Sequence, residues 1–379
     1  MVIQAFLRWL ETARTSDRMR AAGALGRAYV KAEMNGIDRH AAEMAMTFLL
    51  DDPSPKVRHS LIEALADCPA APRGIIVALA EDQSEIAYVA ISRSPVLTDE
   101  DLVDIAARGT AETRALIAAR TTVSCSVAAA IAEIGGEEEV LVLLENRGAM
   151  LLRQSLRRIA SRLGHLAVVR DRLLARVDLP SDARYSLAEK LGEALAASGL
   201  VQAAIGEGQV QRVKREACDA AALLIAGAAP QEELPQMAAH LRDLGRLTPA
   251  FLLNALCSGK TEFFSAAIVD LSGVSQKRVR AILSGGRIHS IRALFESAGL
   301  GRDVSEAFAE AVLLWQRETK AEPNGASPSV AATLLDRLRR RAVHSTACDA
   351  VAELVERLAF AEKRQIARDY ALLASRQAA

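Results

Sequence analysis

Apolar residues fall three and four apart along nearly the whole chain, in short runs broken by polar or glycine-containing turns. Residues 49–67, "LLDDPSPKVRHSLIEALAD", show the pattern. An acidic pair and two prolines break the chain, and Val57, Leu61, Ile62 and Leu65 then form one stripe. That spacing places side chains on a single face of an α-helix. No run of alternating β-branched residues bounded by turn residues occurs, so strands are not predicted. Start and stop signals agree with short helices. Thr98 precedes "DEDLVDIA", with Asp101 three residues on, as an N-cap and its reciprocal partner. Gly109, Gly135-Gly136 and Gly164 stand where helices should end.

The opening unit recurs. "LLDDPSPKVRHSL" aligns with "LAEDQSEIAYVAI" thirty residues later, placing Leu49 on Leu79, Asp52 on Asp82 and Leu61 on Ile91. "AISRSPVLTDEDLVDIAARG" aligns with "IAARTTVSCSVAAAIAEIGG" at a spacing of 27, placing Arg93 on Arg120, Val96 on Val123 and Gly109 on Gly136. "NRGAMLLRQSLRRIASRLG" and "DLPSDARYSLAEKLGEALA" repeat the shape without a fixed spacing. A helix pair of about thirty residues cannot bury its apolar face alone, and stacking on neighbours supplies the missing core, which predicts an α-solenoid.

The Val57-Arg58 pair after Asp52-Pro53 resembles the start of a HEAT repeat, in which the Asp and the Arg tie adjacent repeats together; Tyr88 takes the place of Arg58 in the next unit. "LLDDPSPKVRHSLIEALAD", "ISRSPVLTDEDLVDIA", "ALCSGKTEFFSAAIVDLSGVSQKRVRAIL" and "SIRALFESAGL" occur in this order. Together they resemble an alphaproteobacterial family catalogued as a domain of unknown function, over most of Phe6 to Trp315. The resemblance implies a helical, HEAT-like fold and carries no activity or catalytic residue with it.

Beyond about Leu200 the stripes lengthen. "VQRVKREACDAAALLIAG" and "ELPQMAAHLRDLG" read as a helix pair. "TPAFLLNALCSGKTEFFSAAIVDLSGV" adds two helices, with Thr248 as N-cap and Pro249 at the first helical position. "SQKRVRAILSGGRIHSIRALFESAGL" is a helix, a Gly285-Gly286 turn and a second helix. Asp303 and Glu306 have capping-box spacing before "AFAEAVLLWQRE". The expected organisation is a HEAT-like array over 1–199, a second helical region over 200–318, a linker over 319–327 and a C-terminal hairpin over 328–379, all of it α-helical.

Composition narrows the chemistry. The 379 residues are half apolar but only 4% aromatic, with 47 basic and 47 acidic residues and no net charge. Zero net charge argues against a general polyanion binder, although Arg outnumbers Lys 39 to 8. The five Cys are scattered with no C-x-x-C pair, so neither a disulfide framework nor a zinc site is suggested. Arg8 and Glu11 interrupt the first apolar stretch, and no later run reaches the length of a membrane span; a cytoplasmic setting without membrane contact is expected. "SGKT", ending at Thr261, resembles the end of a phosphate-binding loop. Asn254 stands where that loop needs Gly, and helix precedes it where a strand is required, so the reading is a helix C-cap. No cofactor is expected.

Basic clusters remain. Arg153 and Arg157 lie four apart on one predicted helix, as do Arg158 and Arg162; Arg337, Arg339, Arg340 and Arg341 crowd another. The 274–298 hairpin carries Lys277, Arg278, Arg280, Arg287, His289 and Arg292 and has the outline of a helix-turn-helix, with His289, Ser290 and Arg292 near the start of its second helix. An ordinary helical hairpin has the same outline, with Ile282, Leu283, Ile291, Leu294 and Phe295 as its core. The expected function is a non-enzymatic scaffold that binds a protein partner in bacterial signalling or regulation. Arg153, Arg157, Arg278, Arg287, His289 and Arg292 are the candidate interaction surface. The alternative is a nucleic-acid-binding regulator that uses 274–298.

Overall fold

The computed structural model describes residues 2–32, 34–318, 330–340 and 346–377. All its regular elements are helices, and among the described residues the one extended pairing is an isolated parallel bridge between Val123 and Ala149. The protein is all-α, as the apolar spacing predicts. The linker expected at 319–327, the hairpin start at 328, Arg341 and His344 lie outside the described residues. The chain divides into two compact units, Met1–Lys190 and Leu191–Ala379.

The first unit is built from α1 (Val2–Thr12), α2 (Thr15–Lys31), α3 (Gly36–Leu49), α4 (Pro55–Leu65), α5 (Arg73–Ala80), α6 (Ser84–Arg93), α7 (Asp99–Arg108), α8 (Ala111–Ala118), α9 (Cys125–Ile134), α10 (Glu137–Glu145), α11 (Arg153–Leu163), α12 (Ala167–Leu174) and the start of α13 (Ser181–Ala196). Most are two to three turns long, too short to be stable alone in water. Their ends are fixed by side chains. Thr98 accepts from the Asp101 N–H while the Asp101 carboxylate accepts from the Thr98 N–H, completing the capping box expected at α7. Asn35, Thr110 and Ser124 cap α3, α8 and α9 through side chains that accept from the Asp38, Thr113 and Val127 N–H, and Gly109, Gly135 and Gly164 follow the last turns of α7, α9 and α11.

Packing follows a regular order within this unit. Helix α4 lies on α2, α6 on α4, α8 on α6, α10 on α8 and α12 on α10; α9 likewise lies on α7 and α11 on α9. Each of these helices therefore covers the one two places before it. Val57, Leu61, Ile62 and Leu65 of α4 are fully buried in a core that also takes Ile76, Leu79, Ile86 and Ile91 from α5 and α6. At roughly 1.5–3 kcal/mol for each large side chain removed from water, this shared core is what holds helices of eight to eleven residues in place.

The second unit contains α14 (Gly199–Ile205), α15 (Glu207–Ala228), α16 (Leu234–Asp243), α17 (Pro249–Cys257), α18 (Thr261–Ser272), α19 (Gln276–Gly285), α20 (Ile288–Ser297), α21 (Arg302–Glu318), α22 (Val330–Arg339) and α23 (Thr346–Gln377). Its centre is aromatic. Phe264 lies 5.8 Å from Phe295 and 6.0 Å from Phe308, Phe295 lies 5.6 Å from Phe308, and Phe251 meets Phe263 edge-on at 6.0 Å. Helices α22 and α23 pack against each other and also contact α21. One expected start is corrected. Helix α21 begins at Arg302 and the Gly301 carbonyl accepts from the Ser305 N–H, so Asp303 lies inside the first turn and not at the cap. Its charge still suits the positive end of the helix.

Candidate binding surfaces

The arginines of the first unit are largely taken up by neighbouring helices. Arg18 on α2 holds Asp52, ahead of α4, through Nε at 2.7 Å and Nη2 at 3.2 Å. Arg58 on α4 holds Asp82, ahead of α6, through Nε at 2.5 Å and Nη2 at 2.9 Å, and its Nη1 donates to the Asp52 carbonyl at 2.5 Å. Arg73 holds Asp101, Arg114 holds Glu139, and Arg157 holds Asp182. The HEAT-like start predicts that Asp52 and Arg58 tie adjacent repeats together. Asp52 meets Arg18 with its carboxylate and Arg58 with its carbonyl, and Asp82, aligned with it, likewise gives its carboxylate to an arginine of the unit before, Arg58.

A second set of ties runs backwards to helix C-termini. Arg120 donates to the Ile91 and Ser94 carbonyls at the end of α6, and Arg162 to Ala132 and Gly135 at the end of α9. Lys190 reaches Ala160 and Ser161 near the end of α11. Arg93, aligned with Arg120, instead pairs with Glu63 and Asp67 at the end of α4 and just beyond it. The last carbonyls of a helix have no intrahelical donor and carry the negative end of its dipole, so a cation from the next unit satisfies both.

These ties shape the electrostatics. Burial works to raise the Asp52 carboxyl, but the Arg18 hydrogen bond and the Ser54 N–H outweigh it and hold the group below the usual carboxylate range. At Asp82 burial is likewise overcome by Arg58 and the Gln83 N–H. The hydrogen bond from Arg73 brings Asp101 down to about 2, against burial and with help from the Thr98 N–H. Of the expected surface residues in this unit, Arg157 is thus half-buried in an ion pair. Arg153 is exposed one residue beyond Leu152, and Met150 and Leu152 are both more than half exposed.

In the second unit the 274–298 hairpin is α19 and α20. Val279, Ile291, Leu294 and Phe295 are buried, so the hairpin is anchored on the phenylalanine centre. Lys277, Arg278, Arg287 and His289 are exposed. Arg280 pairs with Glu262 at 2.9 Å, and Arg292 lies 3.9 Å from Glu296, one turn along its own helix. The hairpin therefore does not gather its cations on one face clear of acids. His289, Arg292, Glu296 and Arg302 line one shallow depression together.

The "SGKT" stretch is a helix end. The Lys260 N–H bonds to the Ala255 carbonyl and the Gly259 N–H to Leu256, with Gly259 at φ +73°; this is the αL closure of α17 in a Schellman motif. A Cβ on Gly259 would lie 3.2 Å from the Trp315 ring, so glycine serves both the turn and the packing there. Burial pushes the nearby Cys257 thiol up to about 12, with Glu362 adding to it, which leaves the sulfur protonated and unreactive. Among the described residues no group of three His, Cys, Asp or Glu is placed to hold a metal ion.

Sequence reasoning missed one feature. Leu283, expected in the hairpin core with Ile282, is only half-buried, and so is Ile282. Leu283 forms part of the wall of a cleft of about 440 Å³ with Leu256, Phe264, Val312 and Trp315. The stripe of α19 signals an apolar face, but periodicity does not say whether that face meets another helix or a void.

The family model described as "uncharacterised protein conserved in bacteria (DUF2336)" matches residues 86–347, more than half of the chain. The chain belongs to this family. The matched region takes in "SRSPVL" and "FFSAAIVDLSGVSQKRVRAIL" but not the opening 49–67 stretch, so α1 to α5 lie outside it, although the resemblance in sequence was expected from Phe6. No curated protein and no solved structure matches the chain. Among the described residues no helix is long and apolar enough to cross a membrane.

Proposed function

We propose that this family member is a non-enzymatic scaffold whose first unit is a HEAT-like α-solenoid, and that it binds a protein partner in bacterial signalling or regulation in the cytoplasm. One observation carries the reading: side-chain ties recur between successive helices at sequence separations of 24 to 34 residues, from Arg18–Asp52 to Lys190–Ala160. Short helices joined only to near neighbours are the construction of repeat arrays, and such arrays offer a long ridged surface to other proteins. Met150, Leu152 and Arg153, adjacent and exposed, supply the apolar and cationic groups that protein interfaces favour.

The exposed Lys277, Arg278 and Arg287 favour the nucleic-acid alternative, while Glu262 and Glu296, beside Arg280 and Arg292, count against it. The test is capture by the full chain from its native bacterial cytoplasm, followed by reconstitution with the purified candidate. The expected result is a one-to-one complex that weakens at least tenfold when Met150 and Leu152 are both changed to Asp. Absence of any reconstituted protein complex, together with salt-sensitive duplex DNA binding, would overturn the scaffold reading in favour of the regulator.

A further inference from the structure

The solvent face of α20 carries a small charged depression that the fold holds in a fixed shape. His289, Arg292, Ala293 and Glu296 are spaced three and four apart, so they share one side of the helix. Ile291, Leu294 and Phe295 on the opposite side are buried, which sets the roll of the helix. The chain then reverses. The Gly299 N–H bonds to the Glu296 carbonyl and the Leu300 N–H to Phe295, with Gly299 at φ +86°, in a Schellman closure. Leu300 is buried, and α21 starts at Arg302 and packs back against α20. Arg302 thereby joins the other four residues around a space of about 290 Å³.

Two guanidiniums at this spot are uncommitted. Elsewhere Arg58, Arg73, Arg114 and Arg157 are each held by a carboxylate at 2.5 to 3.1 Å. Arg292 lies 3.9 Å from Glu296, beyond hydrogen-bond range. Arg302 is exposed, and among the described residues no acid pairs with it. An arginine presents its N–H donors in a planar fork, and a neutral imidazole such as His289 still presents one. Ala293 is the one apolar side chain lining the space, so an apolar ligand would bury almost nothing there.

Charge and shape select the ligand. Two guanidiniums face one carboxylate, so the depression carries a net positive charge before His289 is counted. A carboxylate ligand offers two oxygens, enough for one fork. A phosphate monoester offers three terminal oxygens and roughly two negative charges, enough for both forks and the imidazole. Glu296 within the depression and the exposed Asp303 next to Arg302 oppose any anion that extends beyond it. A nucleic-acid backbone, with single charges spread along a strand, does not fit that arrangement. We propose that His289, Arg292 and Arg302 bind a single phosphate monoester group, carried by a small molecule or by a phosphorylated side chain. The site lies wholly in the second unit and is independent of the scaffold reading.

Calorimetric titration of the full chain at about 0.1 M salt, where longer-range attraction is screened, tests this. The probes are phenyl phosphate, a dianion, and phenyl sulfate, a monoanion of the same skeleton. Phenyl phosphate should bind at one site and about tenfold tighter than phenyl sulfate. Arg302→Ala changes an exposed residue, so it should leave the melting temperature unchanged and weaken phenyl phosphate by about tenfold or more, the value of a charged hydrogen bond. Glu296→Gln removes the one opposing charge in the depression. It should tighten phenyl phosphate by about two- to fivefold, a gain that loss of folding cannot imitate. Competition by inorganic phosphate and by a phosphoserine peptide distinguishes the sources: comparable displacement assigns a free phosphate compound, and markedly stronger displacement by the peptide assigns a phosphorylated partner. No saturable phenyl phosphate binding, equal affinity in Arg302→Ala, no gain in Glu296→Gln, or phenyl sulfate binding as tightly as phenyl phosphate would each overturn the proposal. Displacement of phenyl phosphate by duplex DNA at a lower phosphate concentration would overturn it too, as the mark of a general polyanion surface.

Discussion

The two compact units solve the problem of holding short helices by different means. In Met1–Lys190 the buried side chains are mostly Ala, Leu, Ile and Val, and arginines bridge one helix to the start or end of another. In Leu191–Ala379 five of the eight phenylalanines are buried, and four of the five sit in α17, α18 and α20 within about fifty residues. Aliphatic stripes pack closely but specify register weakly, and a bidentate Arg–carboxylate pair adds a directional lock at each step. Rings fill more space per residue and need fewer locks, but large rigid shapes also leave gaps. The 440 Å³ cleft lies in the aromatic unit, bounded by Phe264 and Trp315. The arginine content is mainly structural in one unit, whereas the other holds the apolar opening.

The largest expected effect comes from breaking the aromatic centre. Phe295→Ala removes a fully buried ring that touches both Phe264 and Phe308. It should destabilise the second unit by about 3–5 kcal/mol, seen as an earlier urea transition in probes placed there. Probes in the first unit should not move.

Breaking one lock should cost less. Arg58→Ala leaves Asp82 buried without its partner and frees the Asp52 carbonyl. Both ends of that pair are 16% exposed, so a loss of about 2–4 kcal/mol is expected, below the range for fully buried pairs. Arg58→Lys should recover only part of it, because an ammonium cannot bridge both carboxylate oxygens in the fork geometry.

Acid should expose the difference between the units. Asp52, Asp82, Asp101 and Glu139 all titrate below their ordinary values in the folded first unit. A depressed folded value means stability that is present in full above the unfolded value, about 3.9 for Asp, and is lost as pH falls through the folded one. The gap in melting temperature between wild type and Asp101→Asn should therefore be widest near pH 6 and shrink as pH falls to about 2, where Asp101 titrates. A gap that does not change with pH would mean that the Arg73 pair contributes nothing.

The smallest effect is expected at the hairpin surface. Arg287→Ala with Arg292→Ala removes an exposed guanidinium and a loose pair at 3.9 Å, and should change stability by about 1 kcal/mol or less. Duplex DNA binding measured at two salt concentrations should be weak in the wild type and no weaker in the double variant. Salt-sensitive binding that collapses in the variant would return the hairpin to the role of a DNA reader.

Much of this was legible in the sequence because local rules decided it. The Thr98–Asp101 box, the Gly109, Gly135 and Gly164 stops, and the Thr248-Pro249 start each depend on a few adjacent residues. The alignment of Asp52 with Asp82 was also readable, since the same lock recurs with a drifting spacing. What was not legible depends on partners far along the chain. Arg157 looked like surface because its stripe neighbours are polar, and only the approach of α13 brings Asp182 to it. Leu283 looked like core because periodicity assigns a face and not an occupant. The Asp303 start was misplaced because a capping-box spacing identifies possible caps without weighing the glycine just before them.

Arginines of the first unit lock one helix pair to the next. A double-mutant cycle on Arg58→Ala and Asp82→Ala, read by urea denaturation, measures the lock most directly. A favourable coupling of about 1–3 kcal/mol is expected, with the double variant clearly more stable than the two single losses added together would allow. Coupling within error of zero would contradict it, and would leave the apolar stripes alone responsible for the order of the helices.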